Sequence, residues 1–316
     1  MNTFAHRLSN WLPNPFQNWL RPKWHATREI YTLLVKLGGT VRNNKDLSCW
    51  VITRPIGKKT LVAPARSIRE FRRIVRFGEN PDDLVFHWIN MISDCDVLYD
   101  VGAANGHEGL SVQLLHGSHI VYVEMFTPSI ETILKGTVLA SQNGAKIEDF
   151  DVIAAACDRT EGYAQVLLHN LPVAGGTFNS FSDLSAYCRG GREDEPILAS
   201  QWSPSITIDC LHKKYQLPKP THVKMDIDGF EDRAIEGAKE TLASRDVHSW
   251  IIEINPGRKP SVDAAMLANG YKDIAHFIHY EGIDDAEDHL YVRDDLVDDY
   301  QRRLKNIRNE LRDNVG

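Results

Sequence analysis

Long apolar runs, paired cysteines and an excess of positive charge are all missing from this 316-residue chain. No stretch of about 18 apolar residues occurs, so no segment reads as a membrane-spanning helix. The five cysteines, at 49, 95, 157, 188 and 210, form no C-x-x-C pair and no metal-like spacing. Odd in number and scattered, they read as reduced thiols of a cytoplasmic protein. The start of the chain has neither a continuous apolar core nor a small-residue cleavage site, which argues against a secretory signal. A net charge of −7 argues against a nucleic-acid partner, which calls for a basic domain or stripe. No internal repeat is visible. Hydrophobic content of 42% and charged content of 25% are those of an ordinary globular protein.

What is present falls into three parts. The segment 10-NWLPNPFQNWLRPKW-24 sets Trp11, Phe16, Trp19 and Trp24 among prolines that break it into short turns. It is expected to strap its aromatics onto the main domain. The alternative is a peripheral membrane or partner contact, because Trp beside Lys and Arg suits an interface. Residues 47–63 alternate like a hairpin with Gly57 at the turn, and 67–92 read as helical. Pro81 and the two acids after it open a helix that carries Leu84, His87, Trp88, Met91 and Ile92 at helical spacing.

Alternation of strands and helices follows. Strands are expected at 97–101, 120–124, 153–157, 222–226 and 250–254, and helices at 108–115, 129–140 and 230–242. Short apolar strands separated by helices predict an α/β fold with a doubly wound, mostly parallel sheet covered on both faces. Residues 159–205 read as a long loop on the substrate side. From 294 to 316 the chain is charged, with Leu296, Tyr300, Leu304, Ile307 and Leu311 on one helical face. That helix is expected to dock on the core, a homodimer seam being the alternative. The organisation is therefore an N-terminal helical and hairpin extension (1–74), a main domain (75–293) and a C-terminal helix (294–316).

In open α/β sheets a ligand sits beyond the carboxyl ends of the strands, where the topology switches. A glycine-rich turn there lets backbone approach the ligand and exposes N–H groups at a helix start. The stretch 100-DVGAANGHEG-109 supplies such a turn, with Asp100 ending the strand and Gly102, Gly106 and Gly109 following. A side chain at Gly102 is expected to fill ligand space while leaving the fold intact. Glu124 ends the next strand, where a carboxylate can accept both hydroxyls of an adenosine ribose. Dinucleotide enzymes place their glycines at relative positions 0, 2 and 5. Here they fall at 0, 4 and 7, so the nicotinamide signature is absent.

The order DVGAANG, YVE, 206-ITIDCL-211, 224-KMDIDGFEDRAIEGAKETL-242 and 251-IIEI-254 resembles the FkbM-type family of class I S-adenosylmethionine-dependent methyltransferases. The resemblance covers roughly residues 75–255, and the K-x-D-x-[DE]-G-F-E block is its most specific part. It departs from the family pattern in two places: the loop asparagine stands at Asn105 with Ala104 in its usual position, and Met125 follows Glu124 where a proline is expected. The resemblance implies a Rossmann-like methyltransferase sheet and S-adenosyl-L-methionine as cofactor. It implies a site made from Gly102, Ala103, Asn105, Gly106, Glu124 and Met125 together with Asp100, and points further to Glu79 and to Ala155 near the adenine.

Methyl transfer is an in-line displacement, so such an enzyme supplies positioning and a base for the acceptor's proton. In the implied fold the fourth strand end faces the methyl group, and there stand Lys224, Asp226, Asp228 and Glu231. Asp226 is expected to contact cofactor or acceptor, Asp228 to act as base or clamp, and Lys224 to pair with a carboxylate or steady an oxyanion. The bland alternative is a structural Lys224–Glu231 ion pair. A divalent metal on Asp226, Asp228, Glu231 and Glu253 is a further alternative that the resemblance does not require, and no metal is assigned. His222 reads as buried. The implied activity is O-methylation of a hydroxyl on a sugar, a glycan or a natural-product intermediate. N-methylation of a small molecule or peptide, or an inactive binding module, is the competing reading.

Overall fold

The computed structural model describes residues 24–168, 180–181, 197–255, 257–278 and 286–313. Trp11, Phe16, Trp19, Cys188 and most of the 174–196 stretch lie outside these residues.

A helix, α1 (Trp24–Lys36), leads into an antiparallel meander of β1 (Thr40–Asn44), β2 (Cys49–Ile56) and β3 (Lys59–Ala65). The expected hairpin is therefore two strands of a three-stranded sheet. Ile30 and Leu34 of α1 are buried in the main core, as are Trp50, Ile52 and Leu61 of the meander. Next comes α2 (Ile68–Arg76), capped by Ser67, whose hydroxyl takes the Glu70 N–H while Glu70 takes the Arg66 N–H. Its last turn is held from outside. The buried Arg54 guanidinium reaches the carbonyls of Ile74, Val75 and Phe77 at 2.9, 2.8 and 2.7 Å. A cation suits the negative end of a helix dipole.

The next helix, α3 (Leu84–Met91), starts three residues later than Pro81 suggests. Asp83 decides this: its carboxylate takes the N–H of Phe86 at 2.9 Å and of Gly78 at 3.0 Å, which makes it the cap.

The main sheet begins with β4 (Val97–Val101), α4 (His107–His116), β5 (His119–Glu124), α5 (Thr127–Gln142) and β6 (Phe150–Ala154). After Ala155 the chain leaves this sheet. Strand β7 (Ala156–Cys157) pairs instead with a second sheet containing β8 (Gly162–Leu168), β9 (Ser180–Phe181) and β10 (Ala199–Ile206). The expected single strand at 153–157 is thus two pieces in two sheets, and the flanks of the expected 159–205 loop are a paired antiparallel ribbon.

The chain re-enters through α6 (Ile208–Lys213) and β11 (His222–Met225), followed by α7 (Glu231–Glu236), α8 (Lys239–Ser244) and β12 (Ser249–Ile254). One helix at 230–242 was expected, and two form. Gly237 marks the break, its backbone lying so close to the Asp158 carbonyl that a Cβ would fall 2.3 Å away. The second helix restarts on Asp209, whose carboxylate takes the N–H groups of Glu240 and Thr241.

Completing the fold are α9 (Lys259–Ala268), β13 (Tyr271–Ile278), β14 (Glu287–Arg293) and α10 (Val297–Asp313). Strand order in the seven-stranded sheet is β13-β14-β12-β11-β4-β5-β6, with β4, β5, β6, β11 and β12 mutually parallel. From β4 the chain winds one way through β5 and β6, then returns beside β4 and winds the other way. This is a doubly wound, Rossmann-like sheet whose switch point lies between β4 and β11.

Strand alternation sends Leu98, Ile120 and Tyr122 to one core and Tyr99, Val101, Val121, Val123, Val223 and Met225 to the other. Tyr300 and Leu304 of α10 are buried in the first core, so the C-terminal helix docks on the body. Tyr300 also meets the buried His222, hydroxyl to Nε2 at 2.8 Å. No described helix is long and apolar enough to cross a membrane.

Candidate active site

The glycine turn runs from β4 into α4. Gly102, Ala104 and Gly106 all have left-handed φ values, +73°, +49° and +71°, and Gly106 caps the helix. Ala104 is the costly member, because this region disfavours a side chain. Its conformation lets its N–H reach the Glu124 carboxylate at 2.8 Å. The other Glu124 oxygen takes the Phe126 N–H at 2.8 Å. Glu124 therefore builds the turn as well as facing the cleft. Burial outweighs those backbone donors and pushes its carboxyl up to about 7.

Gly102 is required for a reason other than the expected one. A Cβ there would lie 1.8 Å from the Asp226 carbonyl. Backbone of Asp226, just past β11, occupies that space. Gly109 likewise serves packing, with a Cβ position 2.5 Å from the Tyr122 ring.

Lys224 lies opposite Asp100 in the β11–β4 register and is almost fully buried. Its ammonium is 3.3 Å from the Asp100 carboxylate and 3.2 Å from the Gly102 carbonyl. Burial alone would pull its pKa down, yet Asp100, Glu108 and Asp226 together hold it above its ordinary value. Lys224 thus locks the turn to the neighbouring strand from below. The alternative Lys224–Glu231 pair does not form. Glu231 instead takes the Gly229 N–H at 2.8 Å, and burial, with repulsion from Asp226 and Asp228, raises its carboxyl to about 7. His222 is enclosed, and burial pushes its imidazole down to about 3.

Beyond β11, the Asp226 N–H continues the ladder to the Val101 carbonyl at 3.0 Å. The chain then turns through Asp228 and Gly229, both left-handed at φ +56° and +103°. The turn is anchored by Arg233, whose guanidinium lies over the Phe230 ring and forks onto Asp158 at 2.7 and 2.6 Å.

These elements enclose one cleft at the carboxyl ends of β4, β5 and β11. It is lined by Gly102, Ala104, Glu124, Met125, Ala155, Asp226 and Asp228, with walls from Phe126, Cys157 and Phe230 and with Arg73 from α2. Of the residues expected from sequence, Gly102, Glu124, Met125, Ala155, Asp226 and Asp228 come together here. Asp100, Ala103, Asn105, Gly106, Lys224 and Glu231 lie in the layer beneath or beside the cleft. Asn105 turns inward, its Oδ1 2.9 Å from His107 Nδ1. Glu79 stands apart, beside Arg76 and in a separate surface hollow with Arg28 and Lys36.

Ligand-type oxygens of Asp226, Asp228 and Glu253 approach within 4.8 Å of one another, which restates the metal alternative without Glu231. Arg73, Phe126 and Phe230 were missed from sequence. Phe126 and Phe230 adjoin motif residues and were within reach, whereas Arg73 sits in an Arg-rich helix that reads as a solvated face.

No family model matches the chain, and no curated protein matches it. Among solved structures it is similar to the methyltransferase FkbM of Methylobacillus flagellatus KT, at 14% identity and TM-score 0.41 over 72% of this chain and 55% of that one. It is also similar to the precorrin-6y C5,15-methyltransferase of Geobacter metallireducens GS-15, at 8% identity and TM-score 0.37 over 67% of this chain and 88% of that one. A third is the magnesium protoporphyrin IX methyltransferase of Synechocystis PCC 6803 with bound SAM, at 10% identity and TM-score 0.39 over 70% of this chain and 83% of that one. The chain spans about half the length of the first of these.

Proposed function

We propose that the protein is an S-adenosylmethionine-dependent methyltransferase that methylates a hydroxyl of a sugar, a glycan or a natural-product intermediate, in the cytoplasm. One observation carries this reading. The left-handed glycine turn and three acids, Glu124, Asp226 and Asp228, converge on one cleft at the switch point of a doubly wound sheet. The donor set fits the cofactor. Glu124 is fixed by two backbone N–H groups at the end of β5 and keeps further lone pairs for a ribose diol. Phe126, Ala155 and Phe230 supply apolar walls suited to a flat base.

When bound, S-adenosylmethionine supplies an activated methyl group beside a sulfonium charge. The chain's own task is to orient the acceptor and take its proton. Asp226 and Asp228 stand at the strand end for that work, Asp226 about two-fifths exposed to the cleft. Charge favours the same assignment, since carboxylates stabilise a cation held between them. Hydroxyl acceptors need a base more than amines do, which favours O- over N-methylation.

Calorimetric titration with S-adenosylmethionine, followed by detection of S-adenosylhomocysteine with a panel of sugar and glycan acceptors, tests the proposal. Binding without turnover on any acceptor would support a binding module, and no binding at all would end the reading.

A further inference from the structure

Four charged side chains line the cleft among the described residues: the carboxylates of Glu124, Asp226 and Asp228, and the guanidinium of Arg73. Two nearby arginines are paired elsewhere. Arg66 pairs with Glu131 at 2.6 Å and Arg76 with Glu79 at 3.7 Å. Arg73 makes no side-chain hydrogen bond and no ion pair among the described residues. The nearby acid, Glu70, is buried and takes the Arg66 N–H; Arg73 acts on it only through space, as charge that opposes the rise burial causes in its carboxyl pKa. A lone guanidinium directed at a cleft is a ready anion site.

The glycine turn sharpens the point. A turn of this kind usually offers its N–H groups to an anion at the helix start. Four of them are engaged here. The N–H groups of Gly102 and Ala103 go to the Val123 carbonyl at 2.9 and 3.3 Å, that of Ala104 to Glu124, and that of Gly106 to the Ala103 carbonyl at 2.7 Å. That leaves a side chain as the stronger partner for an anionic ligand group, and among the described residues Arg73 is the one cation in the lining.

We propose that Arg73 holds the α-carboxylate of the methyl donor. This rests on the reading that the cleft takes S-adenosylmethionine. The charges match. The donor carries a sulfonium and an ammonium, both positive, and one carboxylate; the cleft offers three acids and one arginine. A carboxylate set against those acids without Arg73 would be repelled, whereas the guanidinium fork can take both of its oxygens.

The test compares two ligands that share adenosine and differ at the amino-acid end. Titrations of the full chain and of Arg73→Gln use S-adenosylhomocysteine and 5′-methylthioadenosine, which lacks the carboxylate. Arg73→Gln should weaken S-adenosylhomocysteine about 10- to 100-fold and leave 5′-methylthioadenosine within about twofold. Equal losses for both ligands, or no loss for either, would overturn the assignment. The second of those outcomes would move Arg73 to the acceptor. If Arg73→Gln does not fold, Arg73→Lys carries the test: it keeps the charge and loses the fork, so S-adenosylhomocysteine alone should weaken. A wild-type chain that binds neither ligand refutes the cofactor reading itself, a result distinct from any pattern of losses in the variants.

Discussion

The carbonyl oxygen of Asp226 lies 1.8 Å from the point where a Cβ on Gly102 would stand. The glycine turn and the acidic strand end are thus in backbone contact, and the room at Gly102 belongs to the fold. Gly102→Ala should therefore destabilise the protein itself, by about 2 kcal/mol or more, through the clash and the left-handed φ together. Urea denaturation measures this. A variant as stable as the parent, with only binding lost, would restore the view that the cofactor fills that space.

Glu124 is expected to make adenosine binding pH-dependent. Its carboxyl, pushed up to about 7, is half protonated near neutrality in the free protein. A ribose diol donates hydrogen bonds to the ionised form, so adenosine affinity should rise as pH increases through about 7 and then level off. Adenosine itself carries no charge in this range. Glu124→Gln should flatten the profile and weaken binding by about 1.5–3 kcal/mol at pH 8. Stability runs the other way. Glu124 and Glu231, both raised to about 7 in the fold, bind protons that the unfolded chain has released. The folded state should thus lose stability as pH rises from an ordinary carboxyl value of about 4.3 to about 7.

Lys224 is assigned to architecture rather than chemistry. Lys224→Met leaves Asp100 buried beneath the turn without its cation, which should cost about 3–5 kcal/mol of stability. Adding Asp100→Asn should recover a large part of that loss. Chemical denaturation of the parent and the two variants reads this directly. An unchanged melting curve with a collapsed turnover number would return Lys224 to the oxyanion role.

How much of this was legible beforehand follows from the physics of each element. Strands β4 and β5 lie within one residue of their expected limits, because a buried parallel strand is a short apolar run bounded by turn residues. That Glu124, Asp226 and Asp228 stand at strand ends facing one cleft was legible too, since acids closing short apolar runs are a local pattern. The split of 230–242 was not. It depends on the approach of Asp158 to Gly237, some eighty residues away in sequence, and no local propensity reports that. The same holds for Ala155, where one strand ends and another sheet begins. Arg73 was illegible for a different reason: its neighbours Arg69, Arg72 and Arg76 are chemically identical, and only the docking of α2 selects which one meets the cleft.

If Asp228 or Asp226 takes the acceptor's proton, Asp228→Asn and Asp226→Asn should each slow turnover about 100- to 10,000-fold. Cofactor affinity should fall little for Asp228→Asn and more for Asp226→Asn. Activity is expected to survive EDTA. Loss on chelation, restored by magnesium or manganese, would make Asp226, Asp228 and Glu253 ligands instead.

The N-terminal part can be trimmed only so far. A chain starting at residue 40 would lose Ile30 and Leu34, which are 2% and 0% exposed. Two such losses cost about 4 kcal/mol or more, so that chain should melt well below the parent. One starting at residue 24 should keep the parent's S-adenosylmethionine affinity, as titration of the two side by side would measure.

Arg54 gives the cleft a sense of length. One buried guanidinium gathers three carbonyls from the final turn of α2, so the helix cannot slide along its axis without breaking all three contacts together. The charge that α2 carries into the cleft is therefore presented at a fixed depth from the Glu124 end. A ligand anchored at its ribose meets that charge only when the span between its two ends is right. If the cleft takes its ligand as proposed, the N-terminal meander would act as a gauge that sorts ligands by reach.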